Sequence, residues 1–418
     1  MTNKPTSLST PLSTPLSTPL PDLIRLAFNL TVLALAALVL LMSLLQVWHM
    51  VADTGPDLIA PNGMPLGADF ISLWSAAWLA HTGNAAGAYN QATIFAAHHV
   101  AVPANTATTL WHYPPTFLLV LLPLGSLPYL TALAVFILST LLIYLLVLYR
   151  LRPHWSTLLF VLSYPAVWLN FLSGQNAFIT AALLAGGLLA IDKPNPRRSL
   201  VGGLIWGLLS YKPQLGLMLP LALLAKRRWA AMIGAGLSVL LFAGLSVAVL
   251  GAAPWQAFIA NIPHPFRLLE NSSLSLPRMV SAFSMVRMAG WDASYAYQAQ
   301  ALSTALAAIF TLALWADTRT SARVRGASLG IAMLMATPHV FHYDLAILAV
   351  PLLLWLKEAE STRWLTGERA LLAFSWLAPL ILLPINEDYK IGLYPLLFII
   401  LQLGLLRRAA RVPESPQV

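Results

Sequence analysis

The chain has 418 residues, of which 9% are charged and 58% hydrophobic, whereas a soluble globular chain carries about 25% charged residues. A water-soluble protein of this length is excluded, and the apolar share is what about twelve membrane crossings of about 20 residues would need. The lack of cysteine excludes disulfides, thiol nucleophiles and Cys-ligated metal sites. The net charge of +9 does not point to nucleic acid, because the basic residues lie between apolar segments and not on one soluble face.

Three tandem copies of Ser-Thr-Pro-Leu run from Ser9 to Leu20, a low-complexity composition that cannot build a packed core, so residues 1–25 read as a disordered cytoplasmic tail. The apolar run from Leu26 to Trp48 is too long for a signal-peptide core and lacks a small-residue cleavage site, which makes it the first transmembrane helix. From Met50 to His112 there are Asp53, Asp57 and Asp69 but no Lys or Arg, so this segment should lie outside. Pro114 to Pro128 contains four prolines and reads as a segment that dips into the outer leaflet and returns, shielded by protein. The first outer loop then spans about 50–128. Apolar segments follow at 129–149, 155–172, 177–191, 199–211, 213–225, 229–250, 295–316, 326–337, 343–356, 370–384 and 391–406.

If each crosses once, 19 of the 24 Lys and Arg residues collect on one side, and the positive-inside rule makes that side cytoplasmic, with both termini there. The expected architecture is an all-α polytopic membrane domain over residues 26–408, about twelve helices in all, followed by a short tail at 409–418. Several segments are too short to cross as straight helices. Their junctions are polar: Ser210-Tyr211-Lys212-Pro213-Gln214, Pro338-His339-Val340-Phe341-His342-Tyr343-Asp344 and Ser173-Gly174-Gln175-Asn176. All three fall on the outer side, and half-depth hairpins there would frame an outward-facing polar site.

Lys212 lies near the middle of a 27-residue apolar window, where an ammonium costs at least about 2.5–3.5 kcal/mol. Either it snorkels to the interface from a helix tip or it holds an anionic ligand, for which a lipid phosphate is the obvious source in a membrane. His339, His342 and Asp344 suit a hydrogen-bonding site better than a metal, since no other cluster completes a shell; Asp344 could equally cap the following helix. Asp69 precedes a run from Ile71 to Ala80, containing Trp74 and Trp78, that reads as an amphipathic helix along the outer interface. Helix capping would explain Asp69 without catalysis; the alternative is that it faces the same site as Lys212. Walker A, dinucleotide, nucleophile-elbow and zinc-protease signatures are all missing, so soluble nucleotide-dependent chemistry has no support.

Taken in order, Gly-Ala-Asp-Phe at 67–70 with Gly83 and Tyr89, Tyr-Pro-Pro at 113–115 with Leu-Pro at 127–128, Gly-Gln-Asn at 174–176, Lys-Pro-Gln at 212–214 ahead of Lys-Arg-Arg-Trp at 226–229, and Pro-His-x-x-His-Tyr-Asp at 338–344 resemble the pattern of glycosyltransferase family 87. That family comprises polyprenyl-phosphate-mannose-dependent mannosyltransferases of the GT-C superfamily. The resemblance runs from about 67 to 350. It implies a GT-C bundle of transmembrane helices, a catalytic carboxylate on the first outer loop, and a sugar donor carried on a lipid phosphate.

A sugar on polyprenyl phosphate has a good leaving group, so the demand is for cations or donors on the phosphate. Lys212 and His342 would serve, with Arg267 or Arg278. The acceptor hydroxyl, on a lipid or glycan, needs a general base, and Asp69 is the expected one. A single displacement inverts the anomeric centre. Gln175, Asn176, His339 and Asp344 suit substrate hydroxyls, and Tyr113 and Trp111 suit stacking on a sugar or lipid. No cofactor, metal or nucleic acid is expected. The competing classes are a transporter or flippase of lipid-linked sugars, for which broken helices with midplane polar residues are also typical, and a non-catalytic envelope assembly factor.

Overall fold

The computed structural model describes residues 20–191 and 195–412, which are helical apart from their loops and two isolated bridges, Ile59 with Pro65 and Met279 with Phe341. The Ser-Thr-Pro-Leu repeats lie outside the described residues except at Leu20, where the first helix, Leu20–Ala52, already begins. At the other end the last helix continues to Arg411.

Among the described residues five helices are long and apolar enough to cross a membrane: Leu30–Ala52, Tyr129–Leu151, Trp229–Leu250, Ala293–Ala316 and Glu368–Tyr389. Their outward faces carry apolar side chains such as Leu138, Leu240 and Leu302. An apolar exterior of this kind is consistent with a polytopic membrane protein. With the bent pair at 155–172 taken as one span the number is six, so the twelve expected crossings are matched only in part by long helices. The segment expected at 155–172 is two helices, Trp155–Leu162 and Pro165–Leu172, bent by 58°. Pro165 opens the second, and a residue before proline is pushed out of the helical region, as the extended Tyr164 shows. Ala177–Ile191, Pro196–Gly207, Ala322–Met335 and Ala349–Ser361 are only 12 to 15 residues long. At 1.5 Å per residue they reach about 18–22 Å.

Small residues let some of these helices touch backbone to backbone, the usual means of packing where lipid is as apolar as leucine. A Cβ on Gly203 would meet the Ala231 carbonyl at 2.0 Å, and one on Gly234 the Leu200 carbonyl at 2.3 Å. These glycines lock Pro196–Gly207 against Trp229–Leu250 and thereby fix the chain that enters Lys212.

The helix Phe70–His81 is packed inside the protein and presents no amphipathic surface of the kind expected. Ten of its twelve residues are buried, and Trp74 and Trp78 stack on each other with 6.3 Å between rings. The apparent amphipathicity rested on Ser72 and Ser75, which are small enough to bury; the hydroxyl of Ser72 bonds back to the Asp69 carbonyl. Pro115–Leu121 and the 3-10 turn Leu122–Ser126 form a short element against it, tight enough that a Cβ on Gly125 would strike the Ala77 carbonyl.

Residues 253–288 fold into three short helices, Ala253–Asn261, Pro263–Glu270 and Ala282–Met288, over a small core of Leu269, Met279, Phe283 and Ala296. Val280 donates its amide to the Val340 carbonyl at 3.0 Å, which ties this segment to the Pro338–Asp344 junction.

Candidate functional site

The polar motifs converge. Gly67 (φ +85°) and Ala68 (φ +42°) turn the chain sharply before Asp69, and a positive φ at a non-glycine residue marks a position held by its surroundings. The holding partner is the 173–176 loop. The Asp69 amide donates to the Ser173 carbonyl at 3.1 Å, and Gln175 Nε2 donates to Asp69 Oδ2 at 3.0 Å. Gly174 makes this docking possible: it sits at φ +61°, and a Cβ there would lie 2.4 Å from the Gly67 carbonyl. Tyr129, from the start of a crossing helix, donates its hydroxyl to the Leu66 carbonyl at 2.7 Å. Asp69 makes no side-chain cap on the helix it precedes, so capping does not account for the residue. Its carboxyl is pushed above the usual range by burial, opposed by the Gln175 hydrogen bond and by the charges of Arg278 and Lys212.

Gln175 also receives the hydroxyl of Tyr113 on its Oε1 at 3.2 Å. Tyr113 packs on Phe117 and Tyr211, with ring separations of 5.0 and 6.4 Å. Trp111 is 1% exposed and wedged between Tyr113 and Phe117. Its indole therefore supports Tyr113 and presents no face for stacking on a ligand, which corrects the role expected from its position.

Lys212 is 3% exposed, so it does not snorkel. Its ammonium donates to Asp344 Oδ1 at 2.6 Å and Asn176 Oδ1 at 3.3 Å, and lies 5.5 Å from the Tyr343 ring centre. Asp344, fully buried, accepts the Phe341 amide on its other oxygen at 3.1 Å, so it caps its turn and neutralises Lys212 together. The cation that the sequence offered to a ligand is thus already paired. Arg278 is different. It is exposed, its guanidinium has no hydrogen bond or ion pair among the described residues, and its charge acts on both Asp69 and His342. His342 Nδ1 contacts the Arg278 carbonyl at 3.2 Å.

The 253–288 segment closes over this cluster through residues that sequence reasoning passed over. His264 stacks on His112 at 5.8 Å between rings, and Phe266 meets His339 edge-on at 5.2 Å. His112 Nδ1, His264 Nδ1 and His339 Nε2 are buried without a hydrogen-bond partner among the described residues. Burial, then the neighbouring imidazoles, hold His112 at a pKa of about 4, so it stays neutral at pH 7. Arg267 is exposed and shares a helix face with His264, three residues away; no contact brings it to Asp69. Among the described residues no three His, Asp or Glu side chains converge as metal ligands. The signal that could have exposed the segment is its own pattern, His264, Phe266 and Arg267 beside apolar positions on one short helix.

The model of glycosyltransferase family 87 matches residues 111–338, more than half of the chain and most of the convergent motifs. No curated protein and no solved structure matches.

Proposed function

Since the chain belongs to glycosyltransferase family 87, we propose that it transfers a sugar, mannose in the first instance, from a polyprenyl-phosphate donor to a hydroxyl of a lipid or glycan on the outer side of the cytoplasmic membrane. The observation that carries the proposal is the meeting of Asp69 with Gln175 at 3.0 Å in a loop whose backbone is bent to deliver it, within reach of the charge of an unpaired Arg278. A carboxylate whose affinity for protons is raised is suited to take the acceptor's proton as the hydroxyl attacks. Arg278 supplies positive charge and hydrogen-bond donors for the departing phosphate, and its carbonyl orients His342 beside that position. Arg267, on the same closing segment, is a second cation for it. Lys212 and Asp344 serve as a neutral pair that fixes Asn176 and Tyr343. Gln175, Asn176, His339 and Tyr113 then meet the sugar hydroxyls. The single displacement inverts the anomeric centre, so a β-linked donor gives an α-linked product.

A lipid-linked donor has further support. Beside Lys212, a cavity of about 490 Å³ is lined almost wholly by apolar groups, including Leu209, Pro213, Leu217, Leu223 and Met232. An isoprenoid chain could occupy it without desolvating any charge. The GT-C architecture and cytoplasmic termini belong to the same proposal, supported by the division of basic residues.

Purified protein incubated with radiolabelled polyprenyl-phosphate sugars and a membrane lipid extract should yield labelled product, mannose giving the highest rate. Transfer from a nucleotide sugar alone, or passage of the intact donor across vesicles with no product, would overturn the proposal.

A further inference from the structure

Three imidazoles from distant parts of the chain meet where the 253–288 segment closes over the site. His112 precedes Tyr113, His264 lies on Pro263–Glu270, and His339 precedes the 3-10 turn His342–Leu348. The His112 and His264 rings stack at 5.8 Å, and His339 is near enough to act electrostatically on His112. Two contacts hold this meeting in place. The Tyr89 hydroxyl donates to the Tyr113 carbonyl at 2.8 Å while its ring packs on Phe258 at 6.0 Å, so one residue fastens both the His112 loop and the closing segment. On the other side, the bridge between Met279 and Phe341 joins the segment to the chain that follows His339.

The fold brings these rings together without giving them partners. Nδ1 of His112, Nδ1 of His264 and Nε2 of His339 are buried with no hydrogen bond among the described residues. A buried polar atom is ordinarily paired, and three omissions in one cluster make an interface that is incomplete until something enters it. The missing partner is a neutral one. Burial holds His112 and His339 at pKa values of about 4, so both are uncharged at pH 7, and the cations that an anion would seek, Arg267 and Arg278, are exposed. A neutral imidazole offers one N–H and one acceptor nitrogen, and its tautomer can follow the ligand. A hydroxyl likewise donates and accepts, so neighbouring hydroxyls on one ring match the cluster in whichever tautomers it adopts.

We propose that His112, His264 and His339 form a subsite for the hydroxyls of a neutral sugar ring, upon which the 253–288 segment closes. The proposal deepens the transfer reading and rests on it for the identity of the ring, as donor sugar or acceptor glycan. The subsite adjoins the transfer chemistry, since Tyr113, the neighbour of His112, reaches Gln175 and through it Asp69.

The test measures how octyl mannoside and octyl phosphate shift the melting temperature of the full-length protein in a polyoxyethylene detergent, which has no sugar headgroup. On unaltered protein, octyl mannoside should bind about tenfold more tightly than its permethylated form, whose ring cannot donate a hydrogen bond. His264→Phe keeps a ring against His112 and removes the nitrogens; it should bind octyl mannoside about tenfold more weakly, and octyl phosphate, drawn to Arg278, as well as the wild type does. Equal binding of the methylated and free sugars, unchanged octyl mannoside affinity in His264→Phe, or equal losses for the two probes would each overturn the proposal. The methylated-sugar comparison uses unaltered protein, so a variant that fails to fold does not rescue it. In transfer assays, inhibition by octyl mannoside that is competitive with the donor assigns the ring to the donor sugar, and inhibition competitive with the acceptor assigns it to the acceptor glycan. Binding needs no turnover, so a protein that binds octyl mannoside as expected yet transfers nothing would refute the transfer reading and leave the subsite standing.

Discussion

Replacing Asp69 by asparagine tests the proposed chemistry at the atom that matters. The side chain accepts one hydrogen bond within the protein, from Gln175 at 3.0 Å, and the amide oxygen of asparagine can accept the same bond. The backbone bond to Ser173 and the turn at Gly67 and Ala68 do not depend on the charge. What the variant loses is the ability to take a proton, and general-base assistance is typically worth about 10² to 10⁴ in rate. Asp69→Asn should therefore turn over at less than about one hundredth of the wild-type rate while its KM for the lipid-linked donor stays within about threefold. Stability supplies an independent sign. Burial raises the carboxyl's pKa in the folded state, so the ionised group is a net cost to folding at neutral pH, absent below the unfolded value of 3.8 where both states are protonated. Asp69→Asn should melt at a higher temperature than the wild type at pH 7, and the difference should shrink as pH falls toward 4. Radiometric transfer and thermal denaturation in detergent measure the two effects. Near wild-type transfer, or a variant less stable at pH 7, would refute the reasoning and move the search for the base to Asp344.

Lys212→Ala should cost about 3–5 kcal/mol, because it strands the fully buried Asp344; Lys212→Met with Asp344→Asn should regain most of the melting temperature without regaining transfer, and a single variant as stable as the wild type would refute the pairing argument. Arg278→Ala should leave the melting temperature within about a degree and raise the donor KM about 10- to 100-fold, as expected when one charged hydrogen bond is lost, with initial-rate kinetics against donor concentration as the measurement. Gly174→Ala should lower transfer and melting temperature together, since alanine at positive φ costs about 1–3 kcal/mol before its Cβ meets the Gly67 carbonyl. The cysteine-free chain allows a direct test of orientation: in permeabilised-outer-membrane cells a cysteine at the exposed Thr106 should react with an impermeant thiol reagent and one at Arg197 should not. Asn105 would be a poor reporter, being 4% exposed with its side chain bonded to Ala107.

The site was legible where polar residues interrupt apolar sequence, because burying such groups is costly and the fold must give them partners. Gln175, Asn176, Lys212 and Asp344 were found on that ground, Asp69 as the acid ahead of the Ile71–Ala80 run and through the family resemblance, and the five form one connected chain of contacts. Which polar group answers which was not legible. Lys212 and Asp344 are 132 residues apart, and hydropathy contains no term for such a pairing, so the lysine read as a free cation. The helix Phe70–His81 misled for the opposite reason, since serines look polar to a periodicity argument yet bury readily once bonded to a backbone carbonyl.

The same logic explains why the apolar segments do not map one for one onto long helices and why the helices of 253–288, with His264 and Phe266, were passed over although Arg267 and Arg278 were named. A hydropathy window measures how apolar a segment is, and Trp155–Leu162 with Pro165–Leu172 is apolar enough; only the proline tells that the path turns by 58°. The short helices of 253–288 carry too many exposed and polar positions to look like a crossing, so no rule for finding membrane spans selects them. Yet they bring Arg278, a cation without a side-chain partner among the described residues, beside His342 and within the field of Asp69. The charge proposed to meet the phosphate therefore resides on the element with the weakest sequence signal. That follows from the energetics: a cation buried among the helices must be paired to be tolerated, as Lys212 is, whereas one on an exposed closing segment can remain unpaired until an anionic substrate arrives.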